Sequence, residues 1–293
     1  MKVALTGATG FIGSHILSEL LAHGHDVTAL VRDDTEAAAL AALGATPAVV
    51  DLYDRATVVK VFSDTDGAVH TASPGDATSA DLDSAVVDAA IDAFAATGKP
   101  YAHISGVWIF GSNTSITEKS PFNAPTMVAS KEPIERRVLD AAGMRGIVLV
   151  SSVAYGDGGG GIPGLLLGSP RDDAGNLIML GTGQQHWSTV HVADLADVFR
   201  RALENDAARG YYVIGNGLNP TVAELTEAAA VTVGAPGAVP GSDDEARARL
   251  GDYFAEVLLL DQGTHADRAR SELGWQPSHP GLVDELRHGS YRN

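Results

Sequence analysis

Thr6-Gly7-Ala8-Thr9-Gly10-Phe11-Ile12-Gly13 sets three glycines at G-x-x-G-x-x-G spacing, directly after the short run Lys2-Val3-Ala4-Leu5 and ahead of a helix-patterned segment. Each glycine answers a separate demand of a dinucleotide pyrophosphate. Gly7 leaves the strand in a tight turn, Gly10 admits phosphate against bare backbone, and Gly13 lets helix and strand pack closely. Free amides of the loop and the positive end of the helix dipole then face the anion. A second strand, Asp26-Val27-Thr28-Ala29-Leu30-Val31, follows the Gly24 turn, which supplies the context that a lone glycine pattern lacks.

Outward from this motif, strand-like and helix-like segments alternate. Strands are expected at 2–6, 26–31, 46–50, 66–71, 100–105 and 145–151, with helices starting near 12, 34, 54, 79 and 126. Alternation of this kind implies parallel strands, right-handed crossovers and helices on both faces, an α/β Rossmann-type doubly wound sheet. Within 79–97, Leu82, Val86, Ala90 and Phe94 recur at four-residue spacing and read as a buried stripe. After residue 151 the texture changes to a glycine-rich loop, Gly156 to Gly161 with Pro163. His186 to Asp194 then lead into an amphipathic helix, and Tyr211–Ile214 and Val257–Leu260 read as later strands. The expected division is a dinucleotide-binding domain over 1–155, with 186–205 and 256–262 returning to it. Residues 156–185 and 206–293 form mainly a smaller substrate-binding lobe.

The 293 residues are 45% hydrophobic, enough for one large domain and a lobe. The net charge of −17 argues against nucleic-acid or anionic-membrane partners. With no cysteine there is no disulfide framework, thiolate nucleophile or cysteine-bound zinc. The early glycine motif interrupts any signal-peptide core, and no run approaches the roughly eighteen apolar residues of a membrane span. The expectation is a cytoplasmic protein. Neither a Gly-x-Ser-x-Gly elbow nor an H-E-x-x-H spacing occurs, so neither an esterase nor a metal centre is expected.

Coenzymes with an unphosphorylated ribose usually meet a carboxylate at the end of the second strand. Here Val31 is followed by Arg32, whose forked donors suit a phosphate. NADP is the expected coenzyme, with NAD the alternative.

The chain resembles the extended and atypical branches of the short-chain dehydrogenase/reductase superfamily, the NAD-dependent epimerase/dehydratase proteins. Beside the Thr6–Gly13 motif, Val49-Val50-Asp51-Leu52 resembles the adenine-contacting acidic segment. Val69-His70-Thr71-Ala72-Ser73-Pro74 resembles the strand-four motif beside the coenzyme ribose, and Val190–Ala196 and Glu272–Pro277 are also typical. The resemblance implies coenzyme contacts from Gly7, Thr9, Gly10, Phe11, Ile12, Gly13, Arg32, Asp51, Leu52, Thr71, Ala72, Ser73 and Lys131. It also implies a Tyr-x-x-x-Lys pair and an upstream hydroxyl for proton transfer. Lys131 matches the lysine, but the tyrosine position holds Met127 and the hydroxyl position falls on Gly106. Positioned acid/base groups contribute about 10²–10⁴-fold, so this departure matters.

Pro133 either kinks the helix carrying Lys131 or belongs to the first turn of a late-starting helix capped by Ser130. Substitute proton donors are His186, the strongest because imidazole titrates in the useful range, then Ser105; Tyr155, His70 and Ser73 follow. Met127, Tyr155 and Trp187, with Trp108 and Phe122, are candidate walls of an apolar substrate pocket. His191 and Asp194 read as structural. The function that fits is an NADP(H)-dependent oxidoreductase acting on a carbonyl or hydroxyl of a small organic molecule. The alternative is a dinucleotide-binding protein without redox turnover, a regulator or a non-redox enzyme on the same scaffold. The resemblance implies either a homodimer through the helices starting near 79 and 126 or a monomer that covers them with ordinary surface.

Overall fold

The structure, a computed structural model, describes residues 1–292. Its first half runs β1 (Lys2–Thr6), α1 (Phe11–Ala22), β2 (Asp26–Val31), α2 (Asp34–Ala42), β3 (Thr46–Val49), α3 (Arg55–Ser63), β4 (Gly67–His70), α4 (Ser79–Phe94), β5 (Pro100–Gly106), β6 (Asn113–Ile116), α5 (Lys131–Asp140) and β7 (Arg145–Ser151). The second half runs β8 (Val153–Tyr155), α6 (Gly161–Leu167), β9 (Leu177–Ile178), β10 (Thr189–His191), α7 (Val192–Glu204), β11 (Gly210–Ile214), α8 (Val222–Thr232), β12 (Ala238–Val239), α9 (Asp243–Leu250), α10 (Asp252–Leu258), β13 (Gln262–Thr264), α11 (Asp267–Leu273) and α12 (Leu282–His288).

Seven strands form the central sheet in the order β11-β7-β5-β4-β1-β2-β3, and every pairing is parallel. Parallel strands are covered on both faces and therefore read as near-continuous apolar runs; β7 is buried throughout. On one face Ile16, Leu17 and Leu20 of α1 pack with Leu195, Val198 and Phe199 of α7. On the other, Val58 and Phe62 of α3 meet Val86, Ala90 and Phe94 of α4, as the four-residue stripe requires. Trp275, fully buried, donates from Nε1 to the Asp194 carbonyl at 2.8 Å and ties the segment after α11 to α7. Arg145 donates to the carbonyls of Ala202, Leu203, Asn205 and Ala208, so a buried guanidinium closes the C-terminal end of α7.

A third apolar cluster, with Tyr155, Leu166, Trp187, Leu225, Val257 and Leu282, forms the core of the lobe. Two expectations change here. Val257 and Leu258 belong to the end of α10, not to a strand, because an apolar run of four fits a buried helix face as well as a strand and here packs into the lobe. Segment 256–262 therefore does not return to the central sheet, whereas β11, assigned by number to the lobe, is that sheet's edge strand. Among the described residues no helix is long and apolar enough to cross a membrane.

Candidate functional site

The carboxyl ends of β1 to β5 and β7 open on one side of the sheet, where ligands of doubly wound folds bind. Gly7 has φ +77°, and a Cβ there would lie 2.6 Å from the Ala72 nitrogen. A Cβ on Gly13 would lie 1.9 Å from the Gly7 carbonyl oxygen, so helix and turn touch through bare backbone. Gly10 accepts the Ser14 amide at 2.9 Å, and no side chain caps α1. The first-turn amides of a helix have no partner within it, so those of α1 are directed at the cleft.

This cleft, about 380 Å³, is lined by Gly7, Thr9, Gly10, Arg32, Glu36, Val50, Leu52, Thr71, Ala72, Ser73, Pro74 and Leu82, with Leu30 and Val31 behind. A continuation of about 370 Å³ runs past Asp51 and Tyr53. Thr71 Oγ1 donates to the Thr6 carbonyl at 2.8 Å, fixing the end of β4 against β1. Thus Gly7, Thr9, Gly10, Arg32, Asp51, Leu52, Thr71, Ala72 and Ser73 come together as expected. Gly13 acts by packing, and the Phe11 ring lies where a Cβ of Gly159 would be, 2.5 Å away, so it wedges the glycine loop of the lobe.

A third cavity, about 210 Å³, opens at the ends of β5 and β7 between Ile12, Ile104, Ser105, Gly106, Val107, Trp108, the segment Ser151–Ala154 and Ile162. Its lining is mainly apolar. The ends of β5 and β7, apart from Ser105, Gly106 and Trp108, went unnoticed in the sequence; the carboxyl-end rule points to them. Glu36 was not singled out; Val50 and Pro74 lay inside quoted motifs, Leu30 in the second strand and Leu82 in the buried stripe, without being named as site residues.

Behind this wall lies a buried polar seam. Thr6 Oγ1 lies 2.6 Å from His70 Nδ1, His70 Nε2 lies 3.1 Å from Asp83 Oδ1, and Lys131 Nζ donates to Asp83 Oδ2 at 2.6 Å. Burial pushes the Asp83 carboxyl up, but the His70 contact and the Lys131 charge outweigh it and hold it well below the usual carboxylate range. Helix α5 starts late: Lys131 is its first residue and Pro133 sits in the first turn, where a missing amide costs nothing. Further along, burial pushes the Glu135 carboxyl up and the His103 imidazole well down, toward their neutral forms. Glu135, Ser105 and Tyr211 face one another, yet neither Glu135 oxygen, nor Ser105 Oγ, nor Tyr211 Oη completes a hydrogen bond.

The remaining candidates lie elsewhere. His186 donates its backbone N–H to Asp261 Oδ1 at 2.8 Å, its Nδ1 lies 2.8 Å from the same oxygen, and it lines none of the three cavities. Trp187, 4% exposed, donates to the Leu258 carbonyl at 3.0 Å and packs in the lobe core. Tyr155 is fully buried and donates to the Pro280 carbonyl at 2.7 Å. Met127, 47% exposed, lies on the short turn Thr126–Val128 outside the cavities. Phe122 stacks on Phe110. None of these five walls the cleft: an apolar or aromatic residue satisfies a core or a short turn as readily as a pocket, and neighbouring residues in the sequence carry no information on which. His191 Nδ1 accepts the Ala193 amide at 3.2 Å as the cap of α7, and Asp194 binds the Ser278 and His279 amides, both structural.

Comparison with known proteins follows the same lines. The model of the NAD dependent epimerase/dehydratase family matches residues 3–215. Uncharacterized protein C2A9.02 of Schizosaccharomyces pombe is 29% identical over 99% of this chain and all of its own. The 3-diazoavenalumate denitrifying reductase of a Streptomyces species is 29% identical over 98% of this chain and 99% of its own. The crystal structure of human epimerase family protein SDR39U1 with NADPH superposes with a TM-score of 0.77 at 22% identity, covering 99% of both chains, a likeness of fold. With the family's model matching residues 3–215, more than half of its length, the chain belongs to the NAD dependent epimerase/dehydratase family.

Proposed function

We propose that this protein is an NADP(H)-dependent oxidoreductase acting on a carbonyl or hydroxyl of a small organic molecule. The observation that carries this reading is the uncapped first turn of α1 over a loop in which Gly7 and Gly13 leave no room for a side chain. The residues fit a dinucleotide: the α1 amides would hold its diphosphate, Leu52 and Asp51 its adenine end, Arg32 a ribose phosphate, and Thr71 to Ser73 the second ribose. When bound, the coenzyme supplies or accepts hydride. The third cavity, at the far end from Arg32, is where a small substrate would meet it, among Trp108, Val107, Ile104 and Val153. The family name and the reductase relative support redox chemistry, and the NADPH of the human neighbour supports the coenzyme.

Lys131, held by Asp83 Oδ2 at 2.6 Å behind the cleft wall, would orient the coenzyme ribose, and water entering the open cavity would supply the proton. His186 lines none of these cavities and is held by Asp261, so it has no part in this arrangement. Ser105 lines the third cavity, but its Oγ is buried and makes no hydrogen bond. The second reading, dinucleotide binding without redox turnover, is favoured by one feature: the family's two proton-handling positions fall on exposed Met127 and on Gly106. Calorimetric titration with NADPH and NADH, followed by a panel of aldehydes and ketones monitored at the nicotinamide absorbance band, tests both. Tight binding with consumption supports the oxidoreductase; tight binding without consumption across the panel supports the second reading; no heat with either coenzyme overturns both.

A further inference from the structure

Arg32 does not stand alone at the end of β2. Its Nη2 donates to Glu36 Oε1 at 2.7 Å, its backbone nitrogen donates to Glu36 Oε2 at 3.0 Å, and Thr9 Oγ1 reaches Glu36 Oε1 at 3.4 Å. Asp33 caps α2 by accepting the Thr35 and Glu36 amides at 2.9 Å, which sets Glu36 on the first turn with its side chain over the phosphate loop. The guanidinium side chain is 82% exposed and the carboxylate only 17%. Of the two, the anion is thus the more firmly built into the wall, beside Thr9 and Gly10. The Arg32 contact holds the Glu36 carboxyl below its ordinary value, so it is charged at neutral pH.

We propose that Glu36 is a specificity-determining residue that works against Arg32. It ties up the guanidinium that a ribose 2′-phosphate needs and places a like charge beside that phosphate, while offering an acceptor to a free 2′-hydroxyl. Glu36 therefore limits how strongly the chain prefers NADP(H) over NAD(H). A residue five positions beyond the strand end does the work usually sought at the strand end itself, because the first helical turn brings Glu36 back over Arg32. The inference rests on the dinucleotide reading of the cleft.

The test is the ratio of NADPH to NADH dissociation constants, read by calorimetry on wild type, E36Q, E36A and R32A, with circular dichroism confirming the fold of each. Removing one close like charge is expected to tighten NADPH about tenfold in E36Q while leaving NADH nearly unchanged. In E36A the same gain for NADPH should come with weaker NADH, since the hydroxyl acceptor is gone. R32A should shift the ratio the opposite way, and high salt should shrink all these differences. A ratio that stays within twofold of wild type in both Glu36 variants, or that moves toward NADH, overturns the role of Glu36 while leaving the dinucleotide reading intact. Failure of wild type to bind either coenzyme overturns that reading, and this inference with it.

Discussion

Around β1 and β2 the groups that meet the cleft are backbone amides and half-exposed side chains, whereas behind β5 the polar groups turn inward and meet one another. Gly7, Gly10 and Thr9 face open space; Asp83, His70 and Glu135 are at most 2% exposed and face Lys131, Thr6, Ser105 and Tyr211. An anion held by amides and a helix end needs no acid or base beside it. The second concentrates buried ionisable groups, which cost stability unless paired. The open cleft and the buried seam therefore place opposite demands on the same sheet, and substitutions should separate them.

The largest expected effect is at the binding region. In Gly13→Ala the new Cβ has to displace the Gly7 carbonyl from 1.9 Å, so coenzyme binding should vanish and stability fall by about 3 kcal/mol or more. Calorimetry and denaturant unfolding read both; a stable variant that binds normally would break the comparison. At the seam, Asp83→Asn leaves Lys131 without its anion. A loss of about 3 kcal/mol is expected at neutral pH. The Asp83 carboxyl is depressed in the folded state, so its contribution is present above the unfolded value of about 3.9 and is lost as pH falls toward the folded value. Urea unfolding across pH 2–7 (a range of about five units) should show this acid limb in wild type and a flatter curve in D83N.

Glu135 should behave with the opposite sign. Its carboxyl is raised by burial, so its contribution is complete below the unfolded value of about 4.3 and is lost as pH rises toward the folded value. Glu135→Gln should match wild type at low pH and exceed it by about 1 kcal/mol near neutrality. Equal curves at all pH would mean that Glu135 is ionised and paired. The smallest structural effect is expected from Gly106→Ser. The nearest atom to its added Cβ is the Ser151 carbonyl oxygen at 3.9 Å, so stability should change by less than about 0.5 kcal/mol, while a hydroxyl enters the third cavity. Faster turnover of a carbonyl substrate in G106S would sharpen the division of labour; an unchanged rate would place the proton source elsewhere.

Much of this was legible in the primary structure. Six of the seven sheet strands follow from alternating patterns through residue 151, and β11 from Tyr211–Ile214. Nine residues of the cleft lining were singled out: Gly7, Thr9 and Gly10 because a phosphate loop is local, with strand, turn and helix consecutive, Arg32 as the residue after the second strand, and the rest by resemblance. The chemistry end was not legible. His186, Trp187 and Tyr155 carry suitable side chains, yet Asp261, Leu258 and Pro280, each distant in sequence, claim their polar atoms. Glu36 and Glu135 read as ordinary helix carboxylates until the folded chain sets one over the cleft and the other under it.

The amino-acid sequence by itself determined the alternating strands and helices of the parallel sheet and the glycine turn, since apolar periodicity and backbone freedom act over a few residues; the strand order came from the folded chain. Tertiary structure alone decided that Lys131 pairs with Asp83, that Glu36 restrains Arg32, and that the third cavity is walled by the ends of β5 and β7. Those outcomes depend on which side chains 4 to 48 positions apart share one low-dielectric space, and only the packed chain defines that space.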